Sequence, residues 1–343
     1  MLIAFFVNDM EREHENFTTT VLAHTAAQRG HRVADFVLHP DDRMAVHARF
    51  APSKKYRSHS DFYAAMQKLG TQTETIGATD IDVLMLRSDP SLDAQSTPWA
   101  ADIGILFGRE AAKRGVLVVN DPDSLGRAVN KLYFQSFPEE VRAETLITKH
   151  ANDIKEFAKA QGGTLILKPL QGSGGSGVFK IDGDGTSNMN QIIEAIDRDG
   201  YIIAQAYVPA ASKGDIRLFM MNGWPLKIGA KYAAMRRIAS RGDIRSNIHA
   251  GGKPAKVKIG ATELRVAEVI RPKLIADGMF LVGIDIVGDK ILEVNVFSPG
   301  NLKSIGEMND TDFTVPIIES LETKLKIAQD YKGAFDNCAL AAM

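Results

Sequence analysis

Short apolar runs alternate with amphipathic segments over the first 120 residues of the chain. The runs "LIAFFV", "RVADFVL", "IDVLMLRSDPS" and "LVVNDP" are largely continuous, as expected of strands that are buried on both faces. Between them, "TTTVLAHTAAQRGH" and "WAADIGILFGREAAKRGV" have helical spacing, and Gly30 is placed to end the first helix. This rhythm predicts a doubly wound parallel sheet over residues 1–122. Residues 40–75 are polar and lack a period, so we expect a long loop or a short hairpin there.

After residue 122 the pattern changes to helices flanked by strands, and then to hairpins. "SLGRAVNKLYFQSF" is predicted to be helical with Ser124 as its N-cap, and "ETLITK" and "GTLILKPL" are strands on either side of the helix "ANDIKEFAKAQ". From Asp215 onward the pattern favours two antiparallel hairpins, one around Asn222-Gly223 and one in "LVGIDIVGDKILEVNV". The helix "TVPIIESLETKLKIAQ" is predicted to close the fold, and "YKGAFDNCALAAM", residues 331–343, to be a loose tail. The predicted fold class is therefore α/β, becoming α+β in the C-terminal half.

Composition narrows the class of protein. A chain of 343 residues favours two or three domains. The formal net charge of -1 gives no overall attraction to nucleic acid or to an anionic membrane, and no run approaches the roughly 18 apolar residues of a membrane span. The single cysteine, Cys338, excludes an internal disulfide framework and suits a reducing cytosol. We therefore expect a cytoplasmic protein with neither a nucleic-acid nor a membrane partner.

The stretch "LILKPLQGSGGSGVFKI", residues 165–181, contains the Gly-x-Gly-x-x-Gly spacing of a dinucleotide fingerprint. That fingerprint requires a helix directly after its glycines, whereas here the extended segment "VFKI" follows, and the Gly-Lys-[Ser/Thr] of a Walker A loop is absent. The loop therefore joins strand to strand and is either a mobile surface hairpin or an amide-lined anion cradle. The cradle would consist of Gly172, Ser173, Gly174, Gly175, Ser176 and Gly177.

Two lysines favour the cradle. Lys168 ends an apolar strand, where burying its ammonium group is costly unless an anion accompanies it. Lys131 begins a predicted helix of the same region. Two lysines beside a flexible amide-rich loop are suited to a triphosphate.

The second hairpin places three oxygen-bearing side chains among apolar residues: Asp285, Glu293 and Asn295. Such a set suits Mg²⁺, which shares its coordination shell with phosphate oxygens and water. A two-residue connection at Gly288-Asp289 would put Asp285 and Glu293 on opposite faces, whereas a three-residue connection from Gly288 to Lys290 would put them opposite one another. A metal site therefore predicts the three-residue connection, and a solvent-facing polar stripe is the alternative.

Residues 238–254, "IASRGDIRSNIHAGGKP", are polar, rich in glycine and without a period, which is typical of a functional or disordered loop. As a lid, this loop would exclude water from a hydrolysable intermediate. Arg217, Arg237 and Arg245 lie in the same antiparallel region, and the planar guanidinium group is suited to phosphoryl oxygens. A surface ion pair is the alternative for each arginine.

Together these motifs resemble, in order and over residues 1–325, the bacterial glutathione synthetases of the ATP-grasp superfamily. The resemblance is carried by "LMLRSDPS", "NDPDSLGRAVNKL", "LILKPLQGSGGSGVF", "AQAYVPAASKGDIRLFMMNG", "RRIASRGDIRSNIHAGG" and "FLVGIDIVGDKILEVNVFSPGNL". It implies a Rossmann-like pre-ATP-grasp domain at 1–122, a central ATP-grasp subdomain at 123–203, a C-terminal subdomain at 204–325 and a tail at 326–343.

The resemblance also implies roles for individual residues. Lys131 and Lys168 would bind the nucleotide phosphates, and Asp285, Glu293 and Asn295 would hold two Mg²⁺ ions, with Mn²⁺ as an alternative metal. The remaining assignments are the adenine hinge at Gln205, Ala206, Tyr207 and Val208; the nucleotide side at Asp215; the transferred phosphate at Arg217, Arg237 and Arg245; the acyl centre at Asn247, Gly251 and Gly252; and the acid substrate at Arg87, Ser298 and Pro299.

The implied reaction is ATP-dependent joining of an acid, γ-glutamylcysteine, to an amine, glycine, through an acyl phosphate, in a homo-oligomer. The sequence departs from the family where substrates would lie. Phe297-Ser298-Pro299-Gly300 stands where the family has Thr-Ser-Pro-Thr, and Ser88 replaces the lysine after the Arg87 position. A ligase for another acid and amine, or a synapsin-like nucleotide-binding module without activity, are the alternatives.

Overall fold

The computed structural model describes residues 1–37, 45–70, 72–170, 177–181, 189, 191–193, 200–239 and 251–343. The described strands are β1 Leu2–Phe6, β2 Arg32–Val37, β3 Ala45–Phe50, β4 Glu74–Gly77, β5 Val83–Leu86, β6 Leu117–Val119, β7 Thr145–Thr148, β8 Leu165–Pro169, β9 Phe179–Ile181, β10 Ile202–Ala206, β11 Asp215–Met221, β12 Trp224–Pro225, β13 Lys227–Ile228, β14 Lys231–Tyr232, β15 Ala234–Ile238, β16 Lys253–Ala255, β17 Leu281–Val287 and β18 Lys290–Asn295. The described α-helices are α1 Thr18–Gln28, α2 His59–Leu69, α3 Pro90–Ser96, α4 Ile103–Lys113, α5 Pro122–Arg127, α6 Ala151–Ala160, α7 Ala261–Ala276, α8 Leu302–Asn309, α9 Thr314–Asp330 and α10 Asn337–Ala342.

The N-terminal sheet has the strand order β4-β3-β2-β1-β5-β6. The four strands β2, β1, β5 and β6 are parallel, as the apolar runs predict. At the opposite edge from β6, β3 pairs antiparallel with β2, and β4 pairs antiparallel with β3. The expectation of a loop or short hairpin over residues 40–75 is wrong, because this region also holds helix α2; residues 38–44 and 71 lie outside the described residues. The sequence pattern did not indicate this helix, because only Phe62 and Met66 of its eleven residues are buried.

The rest of the described chain forms two larger sheets and the two-stranded sheet β13-β14. An antiparallel sheet of order β7-β10-β8-β9 carries α6, and a second sheet of order β16-β15-β11-β17-β18 carries both predicted hairpins. Asn222 and Gly223 have φ angles of 53° and 76°, so the first hairpin turns through two left-handed residues, as the Asn-Gly pair predicts. The predicted helix "MNQIIEAIDRDG" lies mostly outside the described residues.

The segment that joins the N-terminal sheet to the rest is capped differently from the prediction. Asp121 is the N-cap of α5, and its Oδ2 accepts a hydrogen bond from the Ser124 backbone N–H at 3.1 Å. Ser124 is therefore inside the helix rather than at its start. The predicted single helix is also interrupted: α5 ends at Arg127, and a separate 3₁₀ turn runs over Lys131–Ser136.

The C-terminal segment, predicted to be loose, is folded. Helix α10 packs against β6 and α7 and buries Leu340 and Ala341. The Asn337 side chain continues the edge of β6, because its Nδ2 donates to the Val118 carbonyl at 3.0 Å while its Oδ1 accepts from the Val118 N–H at 2.9 Å. Among the residues that the structure describes, no helix has the length and hydropathy to cross a membrane.

Candidate active site

A cavity of about 520 Å³ opens between the antiparallel sheet that contains β8 and β10 and the sheet that contains β11, β17 and β18. Lys131 and Lys168 line it from one side, and Glu293 and Asn295 line it from the other. The structure therefore brings together the lysines and the oxygen-bearing residues that the sequence predicted to share a site. A volume of this size is in the range of small-molecule and nucleotide sites.

The lysines are held by their surroundings. Lys168 Nζ donates to Gln205 Oε1 at 3.1 Å, and Gln205 Nε2 in turn donates to Thr145 Oγ1 at 3.3 Å. Burial and, secondarily, the positive charge of Lys131 lower the pKa of Lys168 to about 8, against the opposing influence of Glu293. Burial also lowers the pKa of Lys131. Two ammonium groups that lose hydration together favour an anionic ligand, which would stabilise their charged forms.

Asp285 and Glu293 face one another as predicted, but by a different route. The connection between β17 and β18 has two residues, Gly288 and Asp289, since Val287 pairs with Lys290. The predicted three-residue connection is therefore wrong. A β-bulge at Leu292 supplies the extra residue, so that Ile286 pairs with Ile291 and Asp285 pairs with Glu293.

The predicted arginines and acids form a buried network across three strands. Arg217 donates through Nε and Nη2 to both oxygens of Asp285, and Arg237 donates to both oxygens of Asp215 at 2.7 and 2.9 Å. Arg237 Nη2 also lies 2.7 Å from Asp285 Oδ2. Burial alone would raise the pKa of Asp285, but the two arginines outweigh burial and lower it well below its ordinary value. Asp285 is therefore ionised although it is buried.

The Glu293 carboxyl group behaves differently. Burial and the neighbouring Asp285 charge raise its pKa, and Glu293 makes no side-chain hydrogen bond or ion pair with the described residues. Asn295 Nδ2 donates to the Gly283 carbonyl at 3.2 Å and to Asp285 Oδ2 at 3.3 Å. This leaves one carboxylate and one amide oxygen directed to the cavity.

These residues fit Mg²⁺. Within the described residues, no three His, Cys, Asp or Glu side chains form a cage that could hold a metal by themselves. Mg²⁺ does not need such a cage, because it is commonly held by one or two carboxylates together with phosphate oxygens and water. A cation would also stabilise the ionised form of Glu293, whose pKa is raised by burial and by the charge of Asp285.

The predicted adenine hinge lines the same cavity. Gln205, Ala206, Tyr207 and Val208 follow one another along its wall at the end of β10, and Lys180 Nζ lies 4.7 Å from the centre of the Tyr207 ring. Asp215 also lines the cavity, although both of its oxygens are engaged by Arg237. Sequence reasoning missed the apolar wall, to which Ile166, Ile203 and Phe134 contribute.

Arg87 is placed apart from the lining of the cavity. It follows β5 and is buried between the N-terminal sheet and the segment after β18, where its Nε donates to Thr19 Oγ1 at 3.2 Å and its Nη2 donates to the Pro299 carbonyl at 3.1 Å. Burial lowers the pKa of Arg87 to about 10 despite the nearby Glu13. Ser298 lines the cavity, whereas Pro299 is buried behind it.

The structure describes only some of the residues predicted for the glycine loop and the lid. Residues Gly172, Ser173, Gly174, Gly175, Ser176, Arg245 and Asn247 lie outside the described residues. Gly177 has a φ of 69°, a conformation that glycine adopts without strain. Gly251, with a φ of 92°, and Gly252 lead directly into β16, which pairs with β15 beside Arg237.

The fold and this cavity together define an ATP-grasp protein. The structure resembles that of D-cycloserine synthetase DcsG with a TM-score of 0.63, 12% identity and coverage of 94% of this chain and 100% of that chain. It also resembles the D-alanine–D-alanine ligase of Bacillus anthracis complexed with ATP, with a TM-score of 0.53, 14% identity and coverage of 95% and 99%. These similarities establish the predicted fold class.

Sequence comparison then gives the family. Residues 1–126 match the family model for the prokaryotic glutathione synthetase N-terminal domain, and residues 130–310 match the one for its ATP-grasp domain. The glutathione synthetase of Shewanella oneidensis is 34% identical over 249 residues, which are 72% of this chain and 75% of that protein. The glutathione synthetase of Vibrio cholerae is 35% identical over 255 residues, 74% and 76% of the two chains. The chain belongs to the prokaryotic glutathione synthetase family and is an ATP-dependent ligase that forms carbon–nitrogen bonds.

Proposed function

We propose that the protein joins γ-glutamylcysteine to glycine at the expense of ATP, producing glutathione, ADP and phosphate. The observation that carries this proposal is the convergence of Lys131, Lys168 and Glu293 on one cavity in a chain of this family. An acid oxygen of the substrate attacks the γ-phosphorus of ATP and displaces ADP. The amine nitrogen of glycine then attacks the acyl carbon, loses a proton and displaces phosphate.

The residues divide this work by charge. Lys131 and Lys168 bind the nucleotide phosphates, and the backbone and walls at Gln205 to Val208 hold the base. Arg237, beside the cavity and fixed between two aspartates, stabilises the negative charge of the group in transfer. Phosphorylation makes the acid oxygen a good leaving group, so this route requires no protein nucleophile.

Glu293 and Asn295, with Asp285 behind them, are the residues that would hold two Mg²⁺ ions, and Mn²⁺ has the same preference for oxygen ligands. Bound there, the metal would supply positive charge to the phosphate oxygens. Asp215 acts through Arg237, since both of its oxygens are engaged by that guanidinium group.

The loops complete the proposed site. By the family resemblance, Gly172 to Gly177 supply backbone N–H groups to the phosphates, and Arg245, Asn247, Gly251 and Gly252 act at the acyl centre. Of these, Gly177, Gly251 and Gly252 lie within the described residues. Arg87 and Ser298 with Pro299 form the end of the site that takes the acid. Arg87 would have to release the Pro299 carbonyl, or bind the acid through its remaining N–H groups.

A different acid and amine are the second candidate, and Phe297 favours it. This residue lines the cavity at a position where the family has threonine, so an apolar ring replaces a hydroxyl group beside the substrate. A hydroxyl group that binds a polar substrate group discriminates strongly against analogues that lack it, whereas an apolar wall does so weakly.

Release of ADP and phosphate, measured over a panel of acids and amines, tests the assignment. We expect turnover that depends on both γ-glutamylcysteine and glycine. Turnover with another acid and amine, and none with γ-glutamylcysteine, would establish the second candidate. We also propose a homo-oligomer in the cytoplasm by analogy with the family, and sedimentation velocity tests the number of protomers.

A further inference from the structure

A single asparagine of the N-terminal domain holds the exit of the hairpin that carries the oxygen ligands. Asn120 follows β6 and is 5% exposed. Its Oδ1 accepts from the Leu281 N–H at 2.8 Å, and its Nδ2 donates to the Leu281 carbonyl at 3.1 Å and to the Val296 carbonyl at 2.5 Å. All three bonds join residues that are more than 160 positions apart in the chain.

These hydrogen bonds lie at the open end of the hairpin formed by β17 and β18. The ladder between β17 and β18 ends at the pair Gly283–Asn295. Beyond that pair the carboxamide of Asn120 lies between Leu281, which begins β17, and Val296, which follows β18. It makes hydrogen bonds with the backbone groups of both residues. Val296 directly follows Asn295, so the carboxamide fixes the backbone next to a proposed metal ligand.

The segment held in this way is also a wall of the cavity. Asn295, Val296, Phe297 and Ser298 line it consecutively. The other end of the segment is held by a second side chain of the N-terminal domain, since Arg87 donates to the Pro299 carbonyl at 3.1 Å. Because β18 ends at Asn295, the backbone of residues 296–299 pairs with no strand among the described residues, and these two side chains hold it instead.

We propose that Asn120 is a positioning residue for the ligase reaction, which fixes the orientation of Asn295 and the adjoining cavity wall. The proposal rests on the proposed function of the cavity as the site of ATP and its metal ions. Residues that orient metal ligands from outside the coordination shell commonly change metal affinity or activity by roughly 10–100-fold when they are replaced.

The chain offers a matched control. Asn337 also makes three side-chain hydrogen bonds next to β6, two to the Val118 backbone and one to Asp121 Oδ1 at 2.9 Å. None of them reaches the hairpin. Asn120→Ala and Asn337→Ala therefore each remove three side-chain hydrogen bonds beside β6. Both substitutions should lower the thermal unfolding temperature.

The test is a Mn²⁺ titration of each variant in the presence of an ATP analogue that cannot transfer its γ-phosphoryl group, followed by the EPR signal of free Mn²⁺. We expect Asn120→Ala to weaken Mn²⁺ binding by roughly 10-fold or more, to lower kcat similarly and to change the KM for ATP little. Asn337→Ala should keep the wild-type Mn²⁺ affinity and kcat. Asn120→Leu, which has nearly the same shape and removes all three bonds, should follow Asn120→Ala and serves if the alanine variant does not fold.

Two results would overturn the proposal. One is wild-type Mn²⁺ affinity and kcat in a folded Asn120 variant, and the other is an equal loss of Mn²⁺ affinity in Asn337→Ala. The titration needs no acid or amine. If γ-glutamylcysteine proves not to be a substrate while the two variants still differ in Mn²⁺ affinity, the substrate assignment fails and the role of Asn120 stands.

Discussion

Arg237 and Asp285 are joined by an ion pair of 2.7 Å although their strands are not neighbours. The pair reaches diagonally over β11, whose Asp215 and Arg217 lie directly opposite Arg237 and Asp285. The result is a buried square of four charges in which each acid has at least one arginine and each arginine at least one acid. Such a square is stabilised as a unit, because removing one member leaves its partners buried without compensation.

Substitutions in this square should therefore be strongly non-additive. We expect Asp215→Asn and Arg237→Met to destabilise the protein singly by about 3–5 kcal/mol when measured by urea unfolding. The double variant should be less destabilised than the sum, with a coupling free energy of about 0.5–3 kcal/mol. The exposed pair Arg265–Glu140 is the control, and its coupling should stay below about 1 kcal/mol. Additive effects in the buried square would contradict its treatment as a unit.

Glu293→Gln should abolish turnover and leave the fold intact. The amide cannot carry the negative charge that a cation at this site requires, and loss of several kcal/mol of charge stabilisation corresponds to at least about a 1000-fold fall in kcat. Steady-state ADP release measures the effect, and circular dichroism checks the fold. Asp289→Asn changes an exposed acid in the turn of the same hairpin and should retain wild-type activity. Wild-type turnover in Glu293→Gln would refute the metal assignment.

Lys168→Met should weaken nucleotide binding. The substitution keeps most of the side-chain volume and removes the ammonium group that faces the cavity, and a charge-assisted hydrogen bond to phosphate contributes about 1.5–3 kcal/mol. We therefore expect the dissociation constant for ADP, measured by calorimetry, to rise by about 10-fold or more. Lys159→Met, at an exposed position of α6, should leave this constant unchanged. Equal affinity in the two variants would exclude Lys168 from the nucleotide site.

Glu13 should make stability depend on pH. Burial raises its pKa from 4.5 to about 7, against the opposing charge of Arg87, and its Oε2 is buried without a hydrogen-bond partner in the described structure. Because the folded state holds the proton more tightly than the unfolded state, this stabilisation is complete below pH 4.5 and is lost as the pH rises to about 7. The full loss is roughly 3 kcal/mol.

Glu13→Gln should remove that dependence. We expect wild type and variant to unfold at similar temperatures near pH 5 and the variant to be the more stable at pH 8, as measured by calorimetry. Glu11→Gln changes an exposed neighbour and should follow the wild type at both pH values. A variant that loses stability between pH 5 and 8 as steeply as the wild type would show that Glu13 is not the group responsible.

The sequence predicted the features that depend on local pattern. The parallel strands, the Asn222-Gly223 turn and the strand-to-strand character of the glycine loop follow from periodicity and turn chemistry, and the structure has each of them. The cost of burying Lys168 predicted an anionic partner for it, whereas its convergence with Glu293 on one cavity was predicted from the family resemblance.

The features that failed depend on contacts between distant segments. Helix α2 has few apolar residues because it packs against α1 and β3 and buries only Phe62 and Met66. The C-terminal helix was missed because its partner is the backbone edge of β6, which has no signal in the sequence of the tail. The roles of Asp215 and Asn120 depend on partners that are tens to hundreds of positions away.

The bulge at Leu292 means that the turn and the carboxylate pair are specified separately. A homologue that gains one residue at Gly288-Asp289 and loses the bulge would present the same two acids at the same separation. Such a hairpin has the same length, so a sequence alignment shows no gap, and only superposed coordinates reveal whether the extra residue lies in the turn or in the bulge.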